Sequence, residues 1–159
     1  MSSYSRRFLL TLPLALAACD FRPVYGPGGA GRALDGKVGL DEPTNEDSYL
    51  IARALEERLG RASSPIYHLA VTTSVEEQGS AVTPAGAITR VNLVGRASYT
   101  LTQGEVTLAT GNVRNFTGYS ATGTTVEALA AETDARERLM AILAEQIVVR
   151  LFATPGIGA

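Results

Sequence analysis

One thiol, one imidazole and three strand arginines are the residues of this chain whose chemistry and spacing could carry a function. Cys19 is the only cysteine among 159 residues, and His68 the only histidine. Cys19 closes the run Leu16-Ala17-Ala18-Cys19, directly after the apolar segment Phe8 to Ala15, with Arg6 and Arg7 before it. A basic n-region, an apolar stretch too short to anchor stably across a bilayer and a small-residue triplet ending in cysteine together resemble a bacterial lipobox. The chemistry this predicts is a thioether from the Cys19 sulfur to diacylglycerol, cleavage after Ala18, and acylation of the new amine. Each buried methylene contributes about 0.8 kcal/mol and one chain alone is marginal, so several chains together hold a domain firmly at a membrane.

Two features of the leader bear on routing. Ser5-Arg6-Arg7-Phe8-Leu9-Leu10 resembles a twin-arginine export signal, yet two arginines also serve an ordinary n-region, and the export route stays open. Asp20 resembles the residue that retains lipoproteins at the inner membrane of enteric bacteria.

Other constellations do not assemble. His68 lies opposite in parity to Tyr67 and Leu69, an outward or edge position, and the sequence offers it no recognisable acid or thiol partner. A single histidine excludes histidine-rich metal sites, and the sequence clusters no other zinc ligands; no cofactor and no metal are expected. Ser120, in Gly118-Tyr119-Ser120-Ala121-Thr122, lacks the second glycine of a nucleophile elbow. Glu56-Glu57 and Glu76-Glu77 are adjacent residues whose side chains diverge, so neither forms an acid/base pair. Asn115-Phe116-Thr117 matches a glycosylation acceptor only incidentally, and Gly26, Gly28 and Gly31 satisfy G-x-G-x-x-G without the strand and helix a phosphate loop needs. No catalytic constellation survives, and the chain reads as no enzyme.

Arginine remains. Arg90 and Arg96 share one face of a long predicted strand, and Arg114 lies in its hairpin partner. Guanidinium forks pair bidentately with phosphate, so this face could meet the phosphates of a glycolipid. The plainer use of such arginines is solubility and edge protection.

The elements that must position these residues follow from periodicity. Phe21 to Gly31, rich in glycine and proline, predicts a tether or loop. Val38 and Leu40 alternate in a short strand stopped by Pro43. Thr44, with Asp47 three residues on, caps a helix over Tyr49 to Leu59 that carries Ile51, Ala54, Leu55 and Leu59 on one face and ends at Gly60. Tyr67, Leu69, Val71, Thr73 and Val75 alternate in a strand, and Glu76-Glu77-Gln78-Gly79 reads as its turn. In the next strand Val91, Leu93, Gly95, Ala97, Tyr99 and Leu101 face one way. Gln103-Gly104 turns the chain into Glu105 to Tyr119, whose register slips near Gly111-Asn112 and suggests a bulge. Thr124 and Glu127 form a capping box before a long helix with the stripe Ala128, Ala135, Leu139, Ile142, Leu143, Ile147 and Leu151. Glu132, Asp134, Arg136, Glu137, Glu145 and Arg150 fall largely on its remaining surface.

The order β-α-β-β-β-α predicts an α+β fold: a small mixed four-stranded sheet with two helices packed on one face and the other face partly open. Residues 1–18 read as a lipoprotein signal peptide, 19–36 as a lipidated N-terminus and tether, 37–153 as one domain, and 154–159 as a disordered tail. Loss of the leader leaves 141 residues with 12 basic and 16 acidic side chains, a formal charge of −4 against −2 for the whole chain. Such a chain can bury a core unaided, and with no basic cluster a nucleic-acid partner is not expected.

Cys19-Asp20-Phe21-Arg22-Pro23-Val24-Tyr25-Gly26 is similar to the Cys-x-Phe-x-Pro-Leu-Tyr-Gly opening of many lipopolysaccharide-assembly lipoproteins of the LptE family. The resemblance continues in order through the early helix, the strand ending near Val75-Glu76, the long hairpin and the C-terminal amphipathic helix. It implies an outer-membrane lipoprotein facing the periplasm that plugs the LptD β-barrel, assists its assembly and helps deliver lipopolysaccharide to the outer leaflet. Of the family's residues only the lipidated Cys19 carries over, and Asp20 stands where glycine is commoner. The competing class is an accessory or adaptor subunit of another lipid-transport system, held at the inner membrane by Asp20.

Overall fold

The computed structural model describes residues 23–82, 86 and 88–157. Cys19 and its leader lie outside them. Seven elements follow in order: α1 (Ala30–Leu34), β1 (Val38–Leu40), α2 (Glu46–Leu59), β2 (Tyr67–Val82), β3 (Ile88–Gln103), β4 (Val106–Ser120) and α3 (Thr125–Phe152). The sheet order is β1-β2-β3-β4, with β1 parallel to β2 through the α2 crossover and the other pairs antiparallel. This is the α+β mixed four-stranded sheet that the periodicity predicts, with a third, short helix added.

The sheet has one covered face because α2 and α3 both lie on it. Ile51, Leu55 and Leu59 recur every four residues along α2 and are buried. They meet Leu139, Met140, Leu143, Ala144, Ile147 and Leu151 of α3 and Leu69, Leu93, Ala97, Tyr99, Leu101 and Val113 of the sheet in one core. Gly95 lets α3 approach: a Cβ there would stand 2.9 Å from Leu139 Cδ2 and 3.0 Å from Leu143 Cδ1. Ile142, expected within the stripe, is exposed instead. Helix packing against α2 turns the buried face toward Met140, Ala144 and Val148, leaving position 142 beyond its edge.

Several boundaries differ from the sequence reading. The cap of α2 is Asn45, whose side chain accepts from Ser48 N–H while Ser48 Oγ accepts from Asn45 N–H, so the box starts one residue later than Thr44. Within the expected tether, residues 30–34 form α1. Gly29 and Gly31 fold tightly against Val24 and Tyr25, and Leu34 enters the core. At the other end Ile157 is buried, although the segment from residue 154 reads as a tail.

The run Glu76 to Gly79 is strand, because β2 continues to Val82. Its charges are satisfied on both faces: Glu76 pairs with Arg96 at 2.7 Å, and Glu77, one residue on, reaches Arg136 of α3 at 3.3 Å. The β3–β4 turn is Gly104-Glu105, with Gly104 at φ +59°, a conformation that glycine adopts without the Cβ penalty. The bulge sits at Leu108, since Leu101 pairs with Ala109 and Thr102 with Thr107. Gly111 and Asn112 are in regular register. Gly111 breaks the alternation only because the Tyr99 ring occupies the space its side chain would fill.

Candidate functional site

The open face of the sheet gathers the chain's available chemistry. Arg96 and Arg114 are direct cross-strand partners, in the row Ser74-Arg96-Arg114, and both are exposed. The register shift at Leu108 causes this: if the pairing of Thr102 with Thr107 continued without a bulge, Arg96 would face Val113 and Arg114 would lie out of step. Two like charges directly opposite on a strand pair are unfavourable. Glu76 relieves Arg96 on one side. Among the described residues no ion pair to Arg114 is present.

Beside this pair lies a shallow cleft of about 520 Å³ lined by Thr72, Ser74, Ser98, Asn112 and the two arginines, with Arg150 of α3 at its rim. Arg150 donates to the Asn112 carbonyl at 2.5 Å, which fixes its guanidinium near the β4 edge. The sequence placed Arg150 on the outer surface of the last helix; nothing local links it to Asn112, 38 positions earlier. The neighbouring row is Glu76-Val94-Phe116, where Phe116 is 65% exposed and Val94 only 7%. Arg90 pairs with Ser120, six residues along β3 from Arg96, or roughly 20 Å away. The structure therefore joins Arg96 with Arg114 and leaves Arg90 apart on the same face.

The remaining polar groups hold the fold. His68 Nε2 lies 2.9 Å from Asp41 Oδ1, so it does have an acid partner, contrary to expectation, but both side chains are more than half exposed. Ser120 bonds to Thr122. It lies at the far end of the sheet from His68, some 40 Å along the strands, so the two cannot act together. Glu56 pairs with Arg61 and Glu57 with Arg53, and the exposed Arg53 and Arg61 guanidiniums are held still more firmly protonated by the hydrogen bonds they donate to Glu137 and Glu56.

Arg136 is the polar centre that the sequence does not reveal. Read as a surface residue, it is four-fifths buried and reaches Asp47 at the start of α2, Glu77 on β2 and Glu132 one turn back, each at 3.2 to 3.3 Å. Burial alone would pull its pKa down, but the Asp47 and Glu132 carboxylates more than offset this and raise it. Near it the Tyr119 hydroxyl is pushed up, first by burial and then by the Glu132 charge. Arg53–Glu137 and Arg58–Glu145 add further links between α2 and α3. No group of metal-ligating side chains occurs among the described residues, and no described helix is long and apolar enough to cross a membrane.

Residues 37–151 match the family model LptE, lipopolysaccharide-assembly. The chain belongs to the LptE family. Among solved structures it is similar to a lipoprotein from Caulobacter crescentus CB15, with 23% identity, 80% of this chain and 96% of that chain covered, and a TM-score of 0.66. It is also similar to rare lipoprotein B from Shewanella oneidensis (12% identity, 74% and 92% covered, TM-score 0.55) and to a minor lipoprotein from Acinetobacter baumannii (16%, 74% and 89%, 0.54). At these identities the likeness is one of fold. No curated protein matches the chain. The family match begins at Lys37; α1 and the turns before it lie outside the matched residues and pack into the same core.

Proposed function

We propose that this LptE-family chain is a lipid-anchored, non-enzymatic component of the lipopolysaccharide translocon, modified at Cys19 and facing the periplasm from the outer membrane. In this reading it plugs an LptD-type β-barrel, assists barrel assembly and helps deliver lipopolysaccharide to the outer leaflet. The observation that carries the reading is the family match across residues 37–151, which hold all four strands and both long helices apart from the last residue of α3. The open sheet face supports it: Arg96 and Arg114 stand opposite each other, and an anion seated between two guanidiniums relieves their repulsion. A lipopolysaccharide phosphate is such an anion, and the hydroxyl and amide groups of Thr72, Ser74, Ser98 and Asn112 beside it can bond to sugar. Arg90 lies too far along the strand to share one phosphate and serves a second contact or solubility.

Affinity purification of the detergent-solubilised tagged protein tests the reading. A β-barrel partner in the outer-membrane fraction is expected; recovery from the inner membrane with transporter subunits overturns it. For the ligand face, Arg96→Ala with Arg114→Ala weakens binding of lipopolysaccharide by about tenfold at low salt and by less at high salt, because exposed charge pairs are screened. Unchanged binding at both salt levels returns the arginines to solubility.

A further inference from the structure

The two ends of the sheet differ in their distance from the anchor. Cys19 is four residues before Pro23, so at most about 14 Å of fully extended chain separates its Cα from that of Pro23. Pro23 to Gly31 folds against the C-terminal end of α3, where Tyr25 meets Phe152 edge to face with ring centroids 5.8 Å apart. That end also holds the start of β1 and β2 and the β3–β4 turn. The opposite end, with Ile88 and the start of α3, is some 50 Å away along the sixteen-residue strands. It is beyond the reach of the tether.

Large apolar side chains are exposed at the near end: Tyr25 (63%), Val106 (62%), Ile66 and Val24. A membrane-bound domain whose tether is this short presents that end to the lipid. We propose that Val24, Tyr25, Ile66 and Val106 form a docking face that enters the interfacial layer of the bilayer, so that the anchored domain, while it is free of the barrel, stands upright on its lipid. The inference rests on lipidation at Cys19. Tyrosine suits the position, since its ring is apolar and its hydroxyl reaches the headgroups. The exposed charges at this end balance, Arg32 and Lys37 against Asp35 and Glu105, with Arg61 paired to Glu56. Docking is therefore driven by apolar insertion, and a zwitterionic bilayer suffices.

The chain contains no tryptophan, so a single replacement gives a local reporter. The full-length protein carrying Val106→Trp, Tyr25→Trp or Ile88→Trp is purified from membranes, its acyl modification read by intact mass, and each variant reconstituted into phosphatidylcholine vesicles brominated along the acyl chains. The reporters at 106 and 25 lose about half or more of their emission, equally at low and high salt, and the reporter at 88 keeps its own. Lipidated protein with no quenching at 106 and 25, or with equal quenching at all three positions, overturns the docking face while leaving lipidation in place. A mass without lipid overturns lipidation, and the docking face with it.

Discussion

The two faces of one sheet are built to different rules. Every second residue of β3 faces the helices, and there Leu93, Ala97, Tyr99 and Leu101 are buried in a core without a polar side chain. The alternate residues face outward as Asn92, Arg96, Ser98 and Thr100, with a like-charged pair and a bare phenylalanine beside them. The inner face is optimised for burial, at about 25 cal/mol per Å² of apolar surface removed from water. The outer face keeps features that burial and pairing would have removed, and that difference is why the proposed ligand contacts are placed there.

The sharpest way to break this contrast is to place the same charge on both faces. Leu139→Asp puts an uncompensated carboxylate in a fully buried site and costs about 4 kcal/mol or more, while Phe116→Asp on the open face stays within about 0.5 kcal/mol. Urea melts of the two variants check this. Equal losses mean that the outer face is covered in the free protein and is no open surface.

A smaller effect is expected where the two faces are tied together. Among the described residues Arg136 alone pairs with carboxylates of α2, β2 and α3 together, and Glu77, its strand partner, is one residue from Glu76, which holds Arg96 outside. Arg136→Ala leaves three carboxylates facing one another around a partly buried site and costs about 2 kcal/mol by thermal melting. Arg136→Lys recovers only part, because one ammonium cannot span three carboxylates in the guanidinium's geometry. Full recovery by lysine makes the site a simple charge balance.

What the sequence made legible was whatever is encoded locally. The β3–β4 hairpin, the Thr124–Glu127 capping box and the Ile51-Leu55-Leu59 stripe follow from alternation, capping chemistry and helical spacing within a few residues. The misses share one cause, a partner far along the chain. Glu76 to Gly79 looks like a turn until Arg96 and Arg136 supply its counter-charges, 20 and 59 residues on. Helix α1 has five residues and two glycines at its start, so only its docking on α3 holds it. The site was half legible: arginine alternation put Arg90 and Arg96 on one face, but the partner of Arg96 depends on where the bulge falls. Leu108 gives no local sign of being the extra residue.

The smallest expected effect separates local capping from the core on which α3 rests. Glu127 accepts the Thr124 N–H at 2.7 Å and the Thr124 hydroxyl at 3.0 Å, and these bonds hold its carboxyl below the ordinary 4.5. A carboxylate whose folded pKa is depressed contributes stability that is complete above the unfolded value and is lost as pH falls through the folded one. The contribution therefore begins to fade as pH drops below about 4.5. Glu127→Gln keeps an amide oxygen for the cap and removes the charge, along with its favourable interaction with the helix N-terminus. The difference in melting temperature between parent and variant is thus small at neutral pH and shrinks toward zero as pH falls through the lowered folded value, where the parent carboxyl is protonated as well. An offset that stays constant with pH shows that the Gln variant differs in packing and that the charge contributes nothing at this helix end. Because the first turns of α3 are largely exposed, the core around Leu139 stays intact in both forms. Whatever pH dependence remains in the variant then arises elsewhere in the fold.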